Sequence, residues 1–168
     1  MLEEFTMEIR KITMLDEQMP ECIALEVTPE QKNALNSNVL TLAWSYDANV
    51  KGKIDECRSV YAEGKMIGLI RYNYYKDDAF YKETCYYLRP VMIDKNHLDR
   101  GYEKMAIIQL LEEIKSKPFG EATGVFAVYR PHETEKAERY KELGFELTDL
   151  KFDEEDPDDD YIIVRMGI

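Results

Sequence analysis

The most chemically loaded spacing in the sequence lies between Val91 and Lys104. A tight loop ending in Gly101 feeds a helical pattern, so the unpaired amides of that helix's first turn point outward and its dipole favours an anion such as a pyrophosphate. Lys95, Arg100 and Lys104 gather in this loop, and Asp94, Asp99 and Glu103 balance them, leaving the local charge neutral. Just upstream, Pro90 removes a backbone donor near the end of a strand, which predicts a bulge or an opening in the ladder, with two main-chain groups left for a ligand. Metal chemistry is not indicated: Cys22, Cys57 and Cys85 form no Cys-x-x-Cys pair, only His97 and His132 are available to join them, and the three read as buried free thiols. On spacing alone Tyr140, three residues from both Ala137 and Leu143, is an ordinary inward-facing aromatic.

Composition bounds what such a site can serve. The chain of 168 residues is expected to form a single domain, 1–168, with 1–6 as a loose lead-in. Its formal charge of −12 disfavours phosphate backbones as partners, so nucleic acid is excluded as a nonspecific ligand. Seven of the acids crowd into Asp153, Glu154, Glu155, Asp156, Asp158, Asp159 and Asp160, which reads as one solvated loop. No apolar run is long enough to span a bilayer, and Met1 to Arg10 does not read as a secretory leader; a cytoplasmic compartment and no membrane partner are expected.

The elements that must position the loop follow from period. MEIRKIT (7–13) alternates as a first strand. Thr13 and Asp16 resemble the start of a helix running through Leu25, and Asn36 or Ser37 caps another through Leu42 and Trp44. RSVYAE, a turn at Gly64 and KMIGLIRYNYY form a hairpin, and TCYYLRPVMI (84–93) adds a third antiparallel strand. In the helix from Gly101 to Lys115, Ile107, Leu110, Leu111 and Ile114 face inward, while Glu112, Glu113 and Lys117 lie outside. GVFAVYR (124–130) reads as a central parallel strand ended by Pro131. Glu133 to Leu143 forms the last helix, closed by Gly144, before the strands FELTDL and YIIVRM. The fold class is therefore α/β, in the order β-α-α-β-β-β-α-β-α-β-β.

Three segments, VMIDKNHLDRGYEKMAIIQLLEEI (91–114), AERYKELGF (137–145) and EQKNALNSNVLTLAW (30–44), together with YAEGKMIGLI and YIIVRM, resemble the GNAT superfamily of N-acetyltransferases over nearly the whole chain from Met7. The early segment is similar to the bacterial spermine/spermidine N-acetyltransferase branch. The resemblance implies a mixed, mostly antiparallel sheet flanked by helices. It implies acetyl-CoA as co-substrate and a small-molecule primary amine as acceptor, a polyamine if the branch holds, with direct transfer in a ternary complex; a homodimer is compatible with it. The family's Gln/Arg-x-x-Gly-x-Gly/Ala pattern falls on Leu98, Asp99, Arg100, Gly101, Tyr102 and Glu103, with Lys104 next, and only Gly101 obeys it.

On this resemblance residues 98–104 hold the pyrophosphate, and Val91, Met92 and Ile93 align the thioester through backbone amides. Tyr140, four residues before Gly144, protonates the departing thiolate. Glu103 introduces a carboxylate where a small residue lets phosphate approach, and Glu133 stands where the family carries asparagine. A catalytically impaired module that binds acyl-CoA or a protein partner is the alternative these departures favour. Glu21, Glu26 and Glu83 border the expected acceptor groove, and none is singled out as the base. Tyr72, Tyr74, Tyr75, Tyr81, Tyr86 and Tyr87 would suit a polycation as aromatic walls, and strand preference accounts for them equally well.

Overall fold

A computed structural model describes residues 6–12, 18–32, 35–152 and 160–168. The strands are β1 (Met7–Lys11), β2 (Ile54–Ala62), β3 (Lys65–Asp78), β4 (Glu83–Leu88), β5 (Met92–Ile93), β6 (Gly124–Tyr129), β7 (Glu146–Leu147) and β8 (Ile162–Gly167). The helices are α1 (Gln18–Ala24), α2 (Pro29–Lys32), α3 (Asn38–Val50), α4 (Tyr102–Lys115) and α5 (Thr134–Glu142), with one 3-10 turn at Lys95–His97. The sheet order β1-β2-β3-β4-β6-β8-β7 is antiparallel throughout, except that β4 and β6 run parallel. This is the α/β class expected, with the single-turn α2 added. The caps expected at Thr13 and Asp16 and all but Asp160 of the acidic loop lie outside the described residues. No helix among those residues is long and apolar enough to cross a membrane.

Local chemistry accounts for the element ends. Ser37 caps α3 by accepting from the Leu40 amide, and Gly144, at φ +91, ends the chain segment after α5 in a conformation that side chains disfavour. The apolar stripe of α4 is buried as the period requires: Ile107, Leu110 and Ile114 are fully enclosed and Leu111 nearly so. One core joins α4 and Tyr140 of α5 to the sheet through Val60, Ile67, Ile70, Tyr72 and Val125. A second, on the opposite face, joins Cys22 of α1 and Leu42 of α3 to Cys57, Tyr61, Leu69 and Met92. Gln109 ties α4 under the first strand, accepting from the Ile9 amide at 2.9 Å and donating to the Met7 carbonyl at 2.6 Å.

Two expectations are corrected by contacts across the sheet. Glu113 is not an outer charge: its carboxylate accepts from Arg58 Nη2 at 2.6 Å and from the Tyr72 hydroxyl at 2.7 Å, because the end of α4 overlies β2 and β3. Nor do the tyrosines form an open aromatic wall. Tyr72 and Tyr86 are wholly buried on the α4 side, and Tyr81 and Tyr87 are buried with Phe126 on the other. FELTDL pairs only at Glu146 and Leu147. The three cysteines are buried thiols, and burial pushes those of Cys22 and Cys57 up to about 11.

Candidate active site

The strand expected over 84–93 divides at Pro90. Up to Leu88 it pairs with β3 at Tyr72, and the Arg89 amide still donates to the Arg71 carbonyl at 2.9 Å. Pro90 then offers no donor, one residue is taken up, and the chain rejoins β3 as β5, with Met92 opposite Leu69 and Ile93 opposite Gly68. The ladder from β4 to β6 has three pairs, Cys85–Gly124, Tyr86–Val125 and Tyr87–Phe126, while β6 goes on to Tyr129 against β8. The two parallel strands therefore part beside Pro90. The side chains of Val91, Met92 and Ile93 are buried, Val91 and Ile93 toward α4 and Met92 toward α1 and α3. Asp94 pins the segment that follows: its amide donates to the Ile67 carbonyl, and its carboxylate accepts from the amides of Glu26 and Asn96 at 2.8 and 2.9 Å. Burial works against the charge on Asp94, yet those amides hold its carboxyl below the ordinary value.

Two cavities adjoin the place where the strands part, and a third adjoins one of them. One of about 410 Å³ lies on the α3 side, lined by Asn38, Thr41, Trp44, Arg71, Tyr87, Arg89, Pro90, Met92, Val128, Phe152 and Tyr161 among others. A second, of about 480 Å³, shares Pro90, Val128 and Tyr161 with it and extends past Arg130, His132, Glu133 and Lys136. A third, of about 370 Å³, shares His132, Glu133 and Lys136 and reaches Glu103 and Arg139. Together they make an interrupted path from the α3 face, past the break, to the first turns of α5 and α4.

At the far end of that path Gly101 caps α4 with φ +76 and no side-chain hydrogen bond to the helix's first amides. A Cβ there would meet no atom within 4 Å, so the cradle is open. Leu98 packs against the α4-side core, while Asp99 and Arg100 are exposed and Tyr102 is buried. Lys104 pairs with Glu142 at 2.6 Å. Glu103 is turned to Arg139, with Oε1 2.8 Å from Nη1, so its charge is met by α5 rather than aimed alone at an incoming anion. Burial pushes its carboxyl up, against the pull of Arg139.

Tyr140 lies on the α5 side, 2% exposed, stacked at 6.3 Å on Tyr129 of β6 and in contact with Phe145. Burial, and next the nearby Glu103, push its phenol well above the ordinary value, so it is protonated at any physiological pH. It is not among the residues that line the three cavities. Glu133 is bound internally: it accepts from the Arg130 amide at 2.7 Å and pairs with Lys136 at 2.5 Å, which together overcome burial and lower its pKa.

None of the three glutamates considered for the base reaches the α3-side cavity. Glu21 accepts from Tyr61, Glu26 pairs with Lys95, and Glu83 pairs with Arg165 at the opposite end of β4. The residues that do line the path, notably Trp44, Arg71, Arg89, Arg130, Lys136 and Arg139, were not singled out by spacing. Arg89 and Arg130 carried a signal, each standing directly before a proline that ends or breaks its strand.

Arg71 is neutralised from behind. Its Nε donates to Asp55 Oδ1 at 2.6 Å and its Nη2 to Oδ2, and the carboxylate side chain is 3% exposed. Burial raises the Asp55 pKa, but the Arg71 guanidinium more than reverses this, so the folded value lies below the unfolded one. Below its ordinary pKa the unfolded state binds the extra proton first. The pair's stabilisation is therefore complete above about pH 4 and is lost as the pH falls through the folded value. Asp55→Asn is expected to lower stability by about 2 kcal/mol at pH 7 and to flatten the acid limb of a urea-melting series run from pH 6 to pH 3.

No family model matches the sequence, and no curated protein matches it either. Solved structures do match in fold. Ribosomal-protein-alanine N-acetyltransferase from Brucella melitensis is similar with a TM-score of 0.65 at 17% identity, covering 96% of this chain and 99% of that one. PaiA N-acetyltransferase from Thermoplasma acidophilum, solved in complex with coenzyme A, gives 0.64 at 13%, over 97% and 99%. A GNAT family acetyltransferase from Elizabethkingia anophelis, with acetyl-CoA bound, gives 0.61 at 14%, over 96% and 98%. The chain has the fold of the GNAT acetyltransferases.

Proposed function

From that shared fold and the break at Pro90, we propose that the chain is an acetyl-CoA-dependent N-acetyltransferase acting on a primary amine by direct transfer. One observation carries the reading: β4 and β6 part where cavities on the α3 and α5 sides share Pro90, Val128 and Tyr161 as walls. A thioester entering from the α5 side would there meet an amine held on the α3 side. The loop 98–104 fits the diphosphate, since Gly101 leaves open space at the start of α4 and has no side chain to cap its amides. Main-chain groups of Val91–Ile93 polarise the thioester carbonyl, and one well-placed donor of that kind is worth about 3 kcal/mol to the tetrahedral state. Tyr140 gives its proton to the sulfur as the C–S bond breaks. Among the described residues no carboxylate or histidine lines the α3-side cavity, and the acceptor ammonium loses its proton through water.

The polyamine acceptor expected from the sequence draws no support from the described walls of that cavity, which carry two arginines and no acid. A second reading, a module that binds acyl-CoA or a protein partner without turnover, draws on the seclusion of Tyr140 from the cavities. Calorimetry with acetyl-CoA followed by thiol-release assays over an amine panel separates the two. Binding with turnover supports the enzyme, binding alone the module, and no heat at millimolar acetyl-CoA removes both coenzyme readings.

Glu103 gives a further check on the diphosphate position. Because Arg139 already meets its charge, Glu103→Gln is expected to tighten acetyl-CoA by only about threefold, through the cation it frees, rather than by the larger factor an unpaired carboxylate would impose. Titration calorimetry at two salt concentrations measures this; a weaker complex in the variant would place the diphosphate elsewhere.

A further inference from the structure

The two arginines in the α3-side cavity are not equivalent. Arg71 is spent on Asp55, whereas Arg89 has no carboxylate within ion-pair distance among the described residues. Arg89 is nonetheless held in place. Its Nε donates to the buried Asn73 Oδ1 at 2.8 Å, its Nη2 reaches the Tyr75 hydroxyl at 3.4 Å, and its guanidinium lies 4.6 Å from the centre of the Tyr87 ring. Those contacts use the Nε side of the group. Among the described residues the outer edge, both hydrogens of Nη1 and the second of Nη2, has no acceptor, and that edge has the fork geometry that matches a carboxylate.

The remaining walls say what surrounds such an anion. Trp44, Phe152 and Tyr161 supply aromatic surface in about 410 Å³, the scale of a small-molecule site, with Tyr87 beneath Arg89. Arg89 also directly precedes Pro90, so an anion bound to it sits beside the place where the strands part. We propose that the cavity selects an amine that also bears a carboxylate, in the class of aromatic amino acids, with Arg89 as the anchor that orients it. The anchor rests on the N-acetyltransferase reading for its purpose, but its ligand chemistry is testable without turnover. Among the described residues the walls offer a polycation guanidinium groups and no acid.

The test is direct binding and turnover with L-phenylalanine and L-tryptophan, their methyl esters, and spermidine. Calorimetry with wild-type protein, with and without coenzyme A, is expected to show the acids binding at least tenfold more tightly than the esters or spermidine. Arg89→Met is expected to raise Kd, and KM where turnover occurs, by about 30-fold for the acids. It should leave binding of the esters and of acetyl-CoA near their wild-type values, and Arg89→Lys should recover part of the loss. Acids that bind wild-type protein without thiol release would keep the anchor and remove the transferase. Acids and esters that bind alike, no binding by either, or preferred turnover of spermidine would overturn the anchor whether or not acetyl-CoA binds; the acid–ester comparison needs no variant to fold.

Discussion

Tyr140→Phe is expected to lower turnover by about 10² to 10³-fold while leaving acetyl-CoA affinity within about twofold. The ring is enclosed between Tyr129 and Phe145, so phenylalanine keeps the packing and removes only the hydroxyl. Among the described residues that hydroxyl has no hydrogen-bond partner, which leaves it available to a ligand and makes its loss cheap for folding. Its pKa is raised by burial, above that of a thiol near 8.5, so transfer to sulfur is uphill as isolated groups and proceeds only as the C–S bond breaks. Single-turnover rates and coenzyme titration measure the two quantities separately. An unchanged rate would remove the proton-donor role and favour the binding module.

Gly68→Val should be the most damaging single change away from the catalytic chemistry, costing about 3 kcal/mol of stability and about 10 °C in melting temperature. A Cβ at Gly68 would overlap the Met92 carbonyl oxygen and lie 2.8 Å from Ile93 Cδ1. The obstacle is backbone, so no rotamer relieves it. Either β3 or β5 must shift, and β5 is the piece that carries the chain away from β6. Turnover is therefore expected to fall along with stability. Gly124→Ala is the contrasting control, because its nearest atoms belong to the flexible Arg165 guanidinium, starting at 2.9 Å. Urea midpoints for the two variants make the comparison. Equal and small effects would mean that β5 does not need its close approach to Gly68.

What was legible in the sequence is what short-range chemistry sets. The 3.6 period picked out the buried stripe of α4, the alternation around Gly64 fixed the β2–β3 hairpin, and the missing amide of Pro90 located the break on which the proposed site depends. The Gly101 turn was legible for the same reason, since a helix start needs an unobstructed cap and glycine takes φ +76 without strain. The long-range partners were not. Glu113 sits at an outward position on α4 by spacing alone, yet it meets Arg58 and Tyr72, 55 and 41 residues away in sequence. Glu103 looked like a lone charge before the diphosphate until α5 brought Arg139 to it.

Local pattern, then, determined the inward stripe of α4, the β2–β3 hairpin, where the ladder must fail, and hence the α/β class. Tertiary structure alone decided that β6 lies beside β4 and β8, and with that which face each tyrosine occupies, which arginine is neutralised by Asp55 and which stands open beside Pro90. Periodicity records the burial of a residue's own side chain, a property of a few neighbours along the chain. A cavity wall is assembled from strands joined across the sheet, and no repeat along one segment encodes the charge waiting on another.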